Sequence, residues 1–399
     1  MPAASAASSA QQAAQNAALQ NIAIRKAILA NALRLKQPIF NQAWTPSNAP
    51  QLTWSPNYIG YLRRFIVEIT GTVTNSHATQ AATLSDIGIL GLLDPNQGVV
   101  MTDLNGYYRI QTGLWHLLII ESMKRGKLYG ARWTPETGTP WANAGAWTPF
   151  VQPSSSLAAA GGTSTFRLQF EIPVCYMPDD LRGGLFISVV NSTMRCLLNY
   201  NTSAFIASGS DDTFAVYSGG TVALSGVNVS VYQDYFDQLP ADQNGQPALP
   251  LGDMSVVYEL KKTQYSALAA NVDNPFPFNN LRRYLSATPI FDSSPSASPF
   301  RQAGGDVNYW SLMTASLLPL WKGDPQMFSE MVRHQIGWDL PAGFYHFEFR
   351  RHPIYTPANG NMQLLLNPSS AAAQSIVHLG YEMFADVNLL TQASAIGGN

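Results

Sequence analysis

Residues 61–74 have the sequence YLRRFIVEITGTVT, in which Phe65, Val67 and Ile69 alternate with charged or hydroxyl side chains. A period of two residues predicts a β-strand that turns one face toward a core and the other toward a polar environment. The β-branched residues that end the segment favour the same conformation. We therefore start from a β fold and extend the analysis in both directions from this strand.

Similar short apolar runs recur along the chain. They occupy residues 114–121, 164–172, 184–190, 194–199, 213–217, 226–235, 254–260, 284–291, 343–350, 362–366 and 376–384. The 30 glycines and 26 prolines cluster between these runs. Many short strands separated by turn residues predict a mainly β protein built as a sandwich or barrel.

The proline-rich segment 238–251 predicts a linker between two β units, residues 50–237 and 252–390. Both units end in the same order: a strand that begins with glycine, a strand that ends in Leu-Leu-Asn, and a long aromatic strand. These segments are GLFISVV, MRCLLN and VSVYQDYFD in the first unit, and GFYHFEFR, MQLLLN and VHLGYEMFAD in the second. The order indicates a duplicated fold, and the length suits two eight-stranded jelly rolls.

Residues 11–36 lack glycine and proline, and Ala, Gln and Leu dominate their composition. They predict an amphipathic helix within an arm of residues 1–49, ended before Pro38. Its apolar residues recur at three- and four-residue spacings: Leu19, Ile22, Leu29 and Leu33.

Two shorter helices are also predicted. Residues 325–336 form one, with Asp324 as its cap and Gly337 as its end. Residues 117–126 form the other, unless the apolar run that begins at residue 114 is a strand. At the end of the chain, residues 391–399 predict a flexible tail.

The chain of 399 residues has a net charge of −2, and only 12% of its residues are charged. This balance excludes a protein devoted to coating nucleic acid, which would be strongly basic. It also predicts that partners cover much of the surface, because few charges are available to solvate a free monomer. We expect no sequence-specific binding of nucleic acid.

The basic residues are distributed unevenly, since residues 1–67 carry a charge of +6 and the remainder −8. Four of them lie in the arm: Arg25, Lys26, Arg34 and Lys36. Two interpretations stay open for this helix. It packs on a neighbouring subunit, or it faces an anionic surface such as lipid headgroups or nucleic acid.

The sequence lacks a phosphate-binding glycine loop and a GxSxG nucleophile motif. His346, Glu348 and His352 form the best candidate metal site, because His346 and Glu348 share one strand face. Cys175 and Cys196 are typical of small buried hydrophobic residues. We expect no catalytic residues, no metal, no cofactor and no enzymatic activity.

Residues 133–150, WTPETGTPWANAGAWTPF, predict a long loop that carries Trp133, Trp141 and Trp147. Exposed tryptophans in a loop pack against a neighbouring subunit or stack on sugars. The first interpretation makes the loop an intersubunit contact. The second makes the protein a carbohydrate-binding jelly roll, which we keep as the alternative function.

Several segments between residues 75 and 384 resemble, in their amino-acid sequences and in their order along the chain, the major capsid proteins of tectiviruses. These viruses are icosahedral bacteriophages with an internal membrane. These segments are NSHATQAATLSDIG from Asn75, VYQDYFDQLP from Val231, QNG and LPL up to Leu251, NVD from Asn271, RYLS from Arg283, FD from Phe291, DVNY from Asp306, PAGFY from Pro341, PIYT from Pro353, GN from Gly360, NP from Asn367 and LGYEMF from Leu379. The alanine-rich amino terminus and the tryptophan-rich loop depart from the family.

This resemblance implies two jelly rolls side by side in one subunit, and pseudo-hexagonal homotrimers that tile an icosahedral shell around an internal membrane. It places the amino-terminal helix beneath the shell, toward the membrane, and we expect Arg25, Lys26, Arg34 and Lys36 to be the residues that face the membrane or the interior. The implied partners are further copies of the chain, the viral membrane, and minor capsid and vertex proteins. The implied location is the virion, after synthesis in the cytoplasm of a bacterial host.

Overall fold

The structure is a computed structural model. It describes residues 2–85, 87–126, 151–177, 179–188, 193–207, 214–266, 268–278, 282–292, 307–313, 319–337, 343–351, 353–355, 362–369 and 376–386. Within these residues the protein is mainly β, with a long helix at its amino terminus.

The first part of the chain contains most of the strands. Its elements are α1 (Pro2–Asn31), β1 (Leu33–Ala43), β2 (Gln51–Trp54), β3 (Tyr61–Asn75), β4 (Ala82–Leu84), a 3-10 helix (Gly88–Leu92), β5 (Val99–Thr102), β6 (Tyr108–Thr112), α2 (Leu114–Arg125), β7 (Ser156–Leu157), β8 (Gly162–Pro173), β9 (Leu185–Phe186), β10 (Cys196–Asn199), β11 (Phe205–Ile206), β12 (Tyr217–Ser218) and β13 (Val222–Asp237).

The second part repeats this organisation with fewer strands. Its elements are α3 (Leu251–Met254), β14 (Val256–Tyr265), β15 (Asn274–Pro277), β16 (Arg282–Asp292), β17 (Val307–Met313), β18 (Pro319–Gly323), α4 (Pro325–Ile336), β19 (Phe347–Glu348), β20 (Ile354–Tyr355), β21 (Gln363–Pro368) and β22 (Ile376–Asp386).

The first jelly roll has one sheet in the order β1-β13-β3-β8. The strand predicted from residues 61–74 is confirmed as β3, and Phe65, Val67 and Ile69 are fully buried. They pack with Met101 of β5 and with α2 in one apolar core. The alternation seen in the sequence therefore separates the core face of β3 from its polar face.

One sheet of nine strands runs through both jelly rolls. Its order is β19-β16-β22-β14-β6-β5-β10-β2, and β20 pairs with β16. The halves join where β14 pairs in parallel with β6, Leu260 opposite Ile110. A second core lies between the β16–β22 part of this sheet and the sheet β15-β21-β17-β18, with Trp310 fully buried in it.

Two local expectations are wrong, each for a physical reason. Residues 114–121 are not a strand: they lie in α2, which is buried on all sides except at its basic end and whose cap Gly126 is left-handed at φ 62°. A helix buried all round has no polar face, so its sequence looks like a buried strand. The expectation of helix 117–126 is confirmed in kind, and α4 is confirmed with Asp324 as its cap.

The amino-terminal helix ends at Asn31 rather than at residue 36, and β1 begins at Leu33. β1 pairs with β13 along its length and has a register shift between Pro38 and Phe40. Proline is tolerated there because β1 is an edge strand and needs no second ladder of hydrogen bonds. The arm of residues 1–49 therefore contains a strand of the first jelly roll.

A buried ionic cluster joins the two jelly rolls at Glu382 of β22. The Tyr258 hydroxyl donates to this carboxylate over 2.7 Å, and the Ser286 hydroxyl over 3.0 Å. Arg350 Nη2 lies 2.5 Å from Glu382 Oε2, and Lys124 Nζ of α2 lies 3.5 Å from Oε1. Because Lys124 belongs to the first jelly roll and Glu382 to the second, the cluster fixes their relative position.

The electrostatics of Glu382 follow from this arrangement. Burial raises the pKa of the carboxyl group, but Arg350, Lys124 and the two hydroxyl donors outweigh burial and lower the pKa to about 2. Glu382 is thus an anion at neutral pH although it is fully buried. Its ordinary pKa of 4.5 applies only when the chain is unfolded.

We expect the substitution Glu382→Gln to lower the free energy of unfolding by about 3 kcal/mol at pH 7, because Arg350 and Lys124 each lose a buried carboxylate partner and keep only Glu348 and Glu121. The contribution of Glu382 is complete above about pH 4.5 and is lost as the pH falls toward about 2. Urea unfolding of wild type and variant should therefore differ by a constant amount from neutral pH down to about pH 4.5, and by less below it.

The matched control is Glu68→Gln, which breaks an exposed pair with Arg167. This change should lower the free energy of unfolding by at most about 1 kcal/mol. Equal unfolding free energies for the Glu382→Gln variant and wild type at pH 7 would contradict the proposed role of the cluster.

Candidate interaction surface at the amino-terminal helix

Among the α1 residues whose burial is described, from Gln12 onward, Ile28 is the one that is deeply buried against the body of the protein. It belongs to a small apolar cluster with Tyr61, Cys175, Leu181, Phe236 and Met254. Ile24 is partly buried against the same cluster. This cluster is separate from the cores of both jelly rolls.

The apolar stripe predicted from the sequence is largely exposed. Leu19 is 64% exposed, and Ile22 and Leu29 are each 37% exposed. The exposed Lys26 lies on the same stripe, because residues 19, 22, 26 and 29 recur at helical spacing. Three apolar side chains and one lysine are therefore exposed at neighbouring positions of α1.

Arg25 connects α1 to the start of the second jelly roll. Its Nη1 lies 3.6 Å from Asp253 Oδ1 and 3.8 Å from Asp180 Oδ1. Asn21 donates to Asp253 over 3.2 Å and accepts from the Gly252 N–H over 3.1 Å. Burial raises the pKa of Asp253 despite the opposing effect of Arg25.

Arg34 connects β1 to a buried carboxylate of β13. Its Nε and Nη2 donate to Asp234 over 3.1 Å and 2.9 Å. Arg64 donates to the same group over 2.8 Å, and Arg63 lies 3.4 Å away. Burial raises the pKa of Asp234, but these three arginines outweigh burial, so its pKa is lowered overall.

The structure thus divides the four basic residues predicted for the arm into two pairs. Arg25 and Arg34 bind carboxylates within the chain. Lys26 and Lys36 are exposed, and among the described residues neither forms an ion pair. The sequence did not reveal Asp234 and Asp253 as partners, although an acidic residue inside the aromatic segment VYQDYFD was a usable signal.

Two of the candidate metal ligands, His346 and Glu348, are bonded to other side chains of the protein. His346 Nε2 lies 3.4 Å from Glu348, but Arg350 forms an ion pair with that carboxylate. His346 Nδ1 shares a hydrogen bond with Thr288. A guanidinium group on Glu348 competes with a metal cation, and His352 lies outside the described residues.

Of the other predicted features, the two cysteines lie among the described residues and the tryptophan-rich loop and the tail do not. Cys175 and Cys196 are buried free thiols, and burial raises the pKa of each. Trp133, Trp141 and Trp147 lie outside the described residues, as does the tail 391–399. The carbohydrate-binding alternative rests on this tryptophan-rich loop, so no described contact bears on it.

Three exposed tyrosines occur at positions that the sequence did not indicate, two in loops and one at the start of β6. Tyr107 is 73% exposed, Tyr108 48% and Tyr58 38%. The Tyr58 hydroxyl lies 3.5 Å from the Met194 carbonyl oxygen, and the neighbouring Thr193 N–H donates to Leu104 three residues before Tyr107. Tyr58 and the turn before Tyr107 therefore both contact the segment around residues 193–194.

Arg34 and Lys36 provide a direct comparison on one strand. We expect Arg34→Ala to lower the free energy of unfolding by about 1–2 kcal/mol, because a charged hydrogen-bond pair to a buried carboxylate is lost. The change Lys36→Ala should alter it by no more than about 0.5 kcal/mol. Urea unfolding measures both, and equal effects would show that Arg34 has no structural role.

None of the described helices combines the length and apolar character needed to cross a bilayer. The fold of the protein is similar to the folds of solved structures. The crystal structure of the STIV MCP matches it with a TM-score of 0.63 and 13% identity, over 91% of this chain and 99% of that chain. A chain of the atomic structure of Sulfolobus Turreted Icosahedral Virus matches with a TM-score of 0.60 and 12% identity. This match covers 88% of this chain and 90% of that chain.

At the sequence level, the chain is 32% identical over 395 residues to the major capsid protein P3 of Enterobacteria phage PRD1, with 97% of each chain covered. Residues 1–239 match the family described as P3 major capsid protein N-terminal, and residues 255–397 match its C-terminal counterpart. The fold is accordingly a double jelly roll with an amino-terminal helix. The chain belongs to the P3 major capsid protein family.

Proposed function

We propose that this protein forms pseudo-hexagonal homotrimers that tile an icosahedral shell around an internal membrane. Membership of a major capsid protein family supports a structural role in the shell. The observation that carries the membrane part is the exposed stripe of α1, in which Leu19, Ile22 and Leu29 surround Lys26. An exposed apolar helix face with lysine suits the boundary between lipid headgroups and acyl chains.

The exposed aromatic loops and the low surface charge support self-association. Tyr107, Tyr108 and Tyr58 are residues of the kind enriched where chains meet. We place the loop of Trp133, Trp141 and Trp147 in contacts between subunits as well. A trimer buries such side chains, and the trimers then make further contacts within the shell.

The same proposal includes the protein's partners, its location and its role. Its partners are further copies of the chain, the internal membrane through the arm 1–49, and minor capsid and vertex proteins. It is made in the cytoplasm of a bacterial host and acts in the virion. Its role is assembly, without enzymatic activity, cofactor or sequence-specific binding of nucleic acid.

Within the arm, the structure favours Lys26 and Lys36 over Arg25 and Arg34 as contacts with anionic lipid, because the arginines already bind Asp253 and Asp234. Each exposed lysine near an anionic bilayer contributes about 1 kcal/mol to binding. The two arginines position the helix and β1 on the protein.

We expect Lys26→Gln to weaken binding to phosphatidylglycerol vesicles about fivefold, the equivalent of about 1 kcal/mol. Leu19→Gln should weaken it as well, with unfolding in urea unchanged, because Leu19 makes no buried contact that holds the fold. Vesicle flotation of the purified full-length chain measures both effects.

Two matched controls carry the same changes on the second jelly roll. Lys322→Gln and Leu320→Gln alter exposed residues of β18, and vesicle binding should stay at the wild-type level. Binding that is insensitive to Lys26 and Leu19, or that falls equally in the controls, would refute a membrane-facing arm.

A further inference from the structure

Lys262 of β14 and His378 of β22 form a pair of basic side chains in the second jelly roll. Lys262 Nζ lies 2.6 Å from His378 Nδ1, within hydrogen-bond distance. Lys262 stands opposite Gly380 in the strand pair, and residues 378 and 380 share a face because they are two apart. The register of β14 and β22 therefore holds the amine and the imidazole side by side.

The first jelly roll covers this pair with ring side chains. Phe214 makes a T-shaped contact with the His378 ring at a centroid distance of 4.9 Å, and His378 is only 6% exposed. His116 of α2 packs against Gly380, where an added Cβ atom would lie 2.5 Å from His116 Cδ2. The imidazole of His378 is thus fixed in position beside the amine.

Lys262 has little acidic compensation in this setting. Asp94 is the carboxylate that acts on it from the first jelly roll. The Asp94 side chain itself accepts from the Asn96 N–H over 2.8 Å and from the Gln97 N–H over 2.7 Å. Among the residues that the structure describes, Lys262 forms no ion pair, and its close polar contact is the imidazole.

The ionisation of the pair follows from these surroundings. Burial lowers the pKa of Lys262 from its ordinary value of 10.5 to about 7, although Asp94 opposes the shift. Burial and the neighbouring Lys262 hold the pKa of His378 well below its ordinary value of 6.5. At neutral pH about half of the Lys262 side chains are uncharged amines, compared with fewer than about one in a thousand for an ordinary exposed lysine.

A small reagent can reach Lys262 from the surface. Lys262 is partly exposed, and Thr263 and Gln264, which follow it, are exposed. Gln264 Oε1 lies 3.5 Å from Asn96 Nδ2 in an exposed contact between the two jelly rolls. The amine therefore lies at the rim of the joint.

An amine beside a fixed neutral base has the geometry of an activated nucleophile. We propose that Lys262 is a site of covalent acylation, with His378 as the base that accepts the proton of its amine. The acyl donor is a small acyl phosphate, a molecule whose carbonyl group carries phosphate as its leaving group. This inference depends on neither the trimer nor the membrane.

The reaction is a transfer of the acyl group from oxygen to nitrogen. The lone pair of Lys262 Nζ attacks the carbonyl carbon, and the new carbon–nitrogen bond forms as the carbonyl oxygen takes up negative charge. The amine proton passes to His378 Nδ1 and from there to solvent. The carbonyl re-forms, the bond from its carbon to the phosphate oxygen breaks, and inorganic phosphate leaves.

Acylation changes the charge of the joint. The amide product retains one N–H group that can donate to His378, but it no longer takes up a proton. In the unmodified protein, protonation of both groups places two cations 2.6 Å apart. Two like charges at such a distance disfavour each other's charged forms. The acylated joint is free of this repulsion.

Acetylation by acetyl phosphate, followed by peptide mass spectrometry, tests the proposal on the purified full-length protein. At pH 7 Lys262 should be acetylated at least about tenfold faster than the exposed Lys36 of the same sample, because far more of its amine is uncharged. In concentrated urea the two rates should become equal. Equal rates in the folded protein at pH 7 would overturn the proposal.

The pH profile of the wild-type protein provides a readout that simple exposure does not produce. The acetylation rate of Lys262 should rise up to about pH 8 and then level off, whereas that of Lys36 should rise up to about pH 10. A Lys262 rate that rises in parallel with the Lys36 rate over this whole range would contradict an activated amine.

The variant His378→Gln tests the base. It should lower the acetylation rate of Lys262 at pH 7 by about tenfold and leave that of Lys36 unchanged, because a glutamine side chain cannot accept the proton. Urea unfolding verifies that the variant is folded, and the wild-type pH profile decides the proposal if it is not. An unchanged Lys262 rate in the folded variant would refute the role of His378.

Discussion

Glu382 lies where the two jelly rolls meet, and side chains from both of them reach its carboxylate. Apolar packing is non-directional and does not by itself specify how two sandwiches align. The contacts of Lys124, Tyr258 and Arg350 with this buried anion are directional, and they occur beside the joint between β6 and β14. The position of the second jelly roll, and with it the position of α3 beneath α1, depends on this arrangement.

The burial of charged residues also bears on the low proportion of charged residues in the sequence. Only 12% of residues are charged, and several of these are buried: Arg63, Asp103, Arg109, Glu121, Asp234, Asp253, Glu259 and Glu382. The surface therefore carries even less charge than the sequence suggests. Exposed residues such as Leu19 and Tyr107 add apolar area to it. A surface of this kind is consistent with the self-association and lipid contact that we propose.

Local signals in the sequence predicted local structure well. The alternation around Phe65 gave β3, and Asp324 with Gly337 marked both ends of α4, because strand faces and helix caps depend on nearby residues. Long-range effects were not predictable in this way. The residues after Asn31 form β1 because they pair with β13. The apolar residues 114–121 form a helix because they are buried on all sides in the folded protein. The ion pair of Arg34 with Asp234 depends on a strand pairing that no short segment encodes.

The central claim is that copies of this chain associate with one another and cover much of each other's surface. Light scattering after size exclusion tests that claim most directly on the purified protein. The account predicts a mass of about 130 kDa, three times the 43.4 kDa of one chain, that persists on dilution. A stable species with the mass of a single chain would contradict it, because the exposed aromatic loops and the low charge would then have no partner.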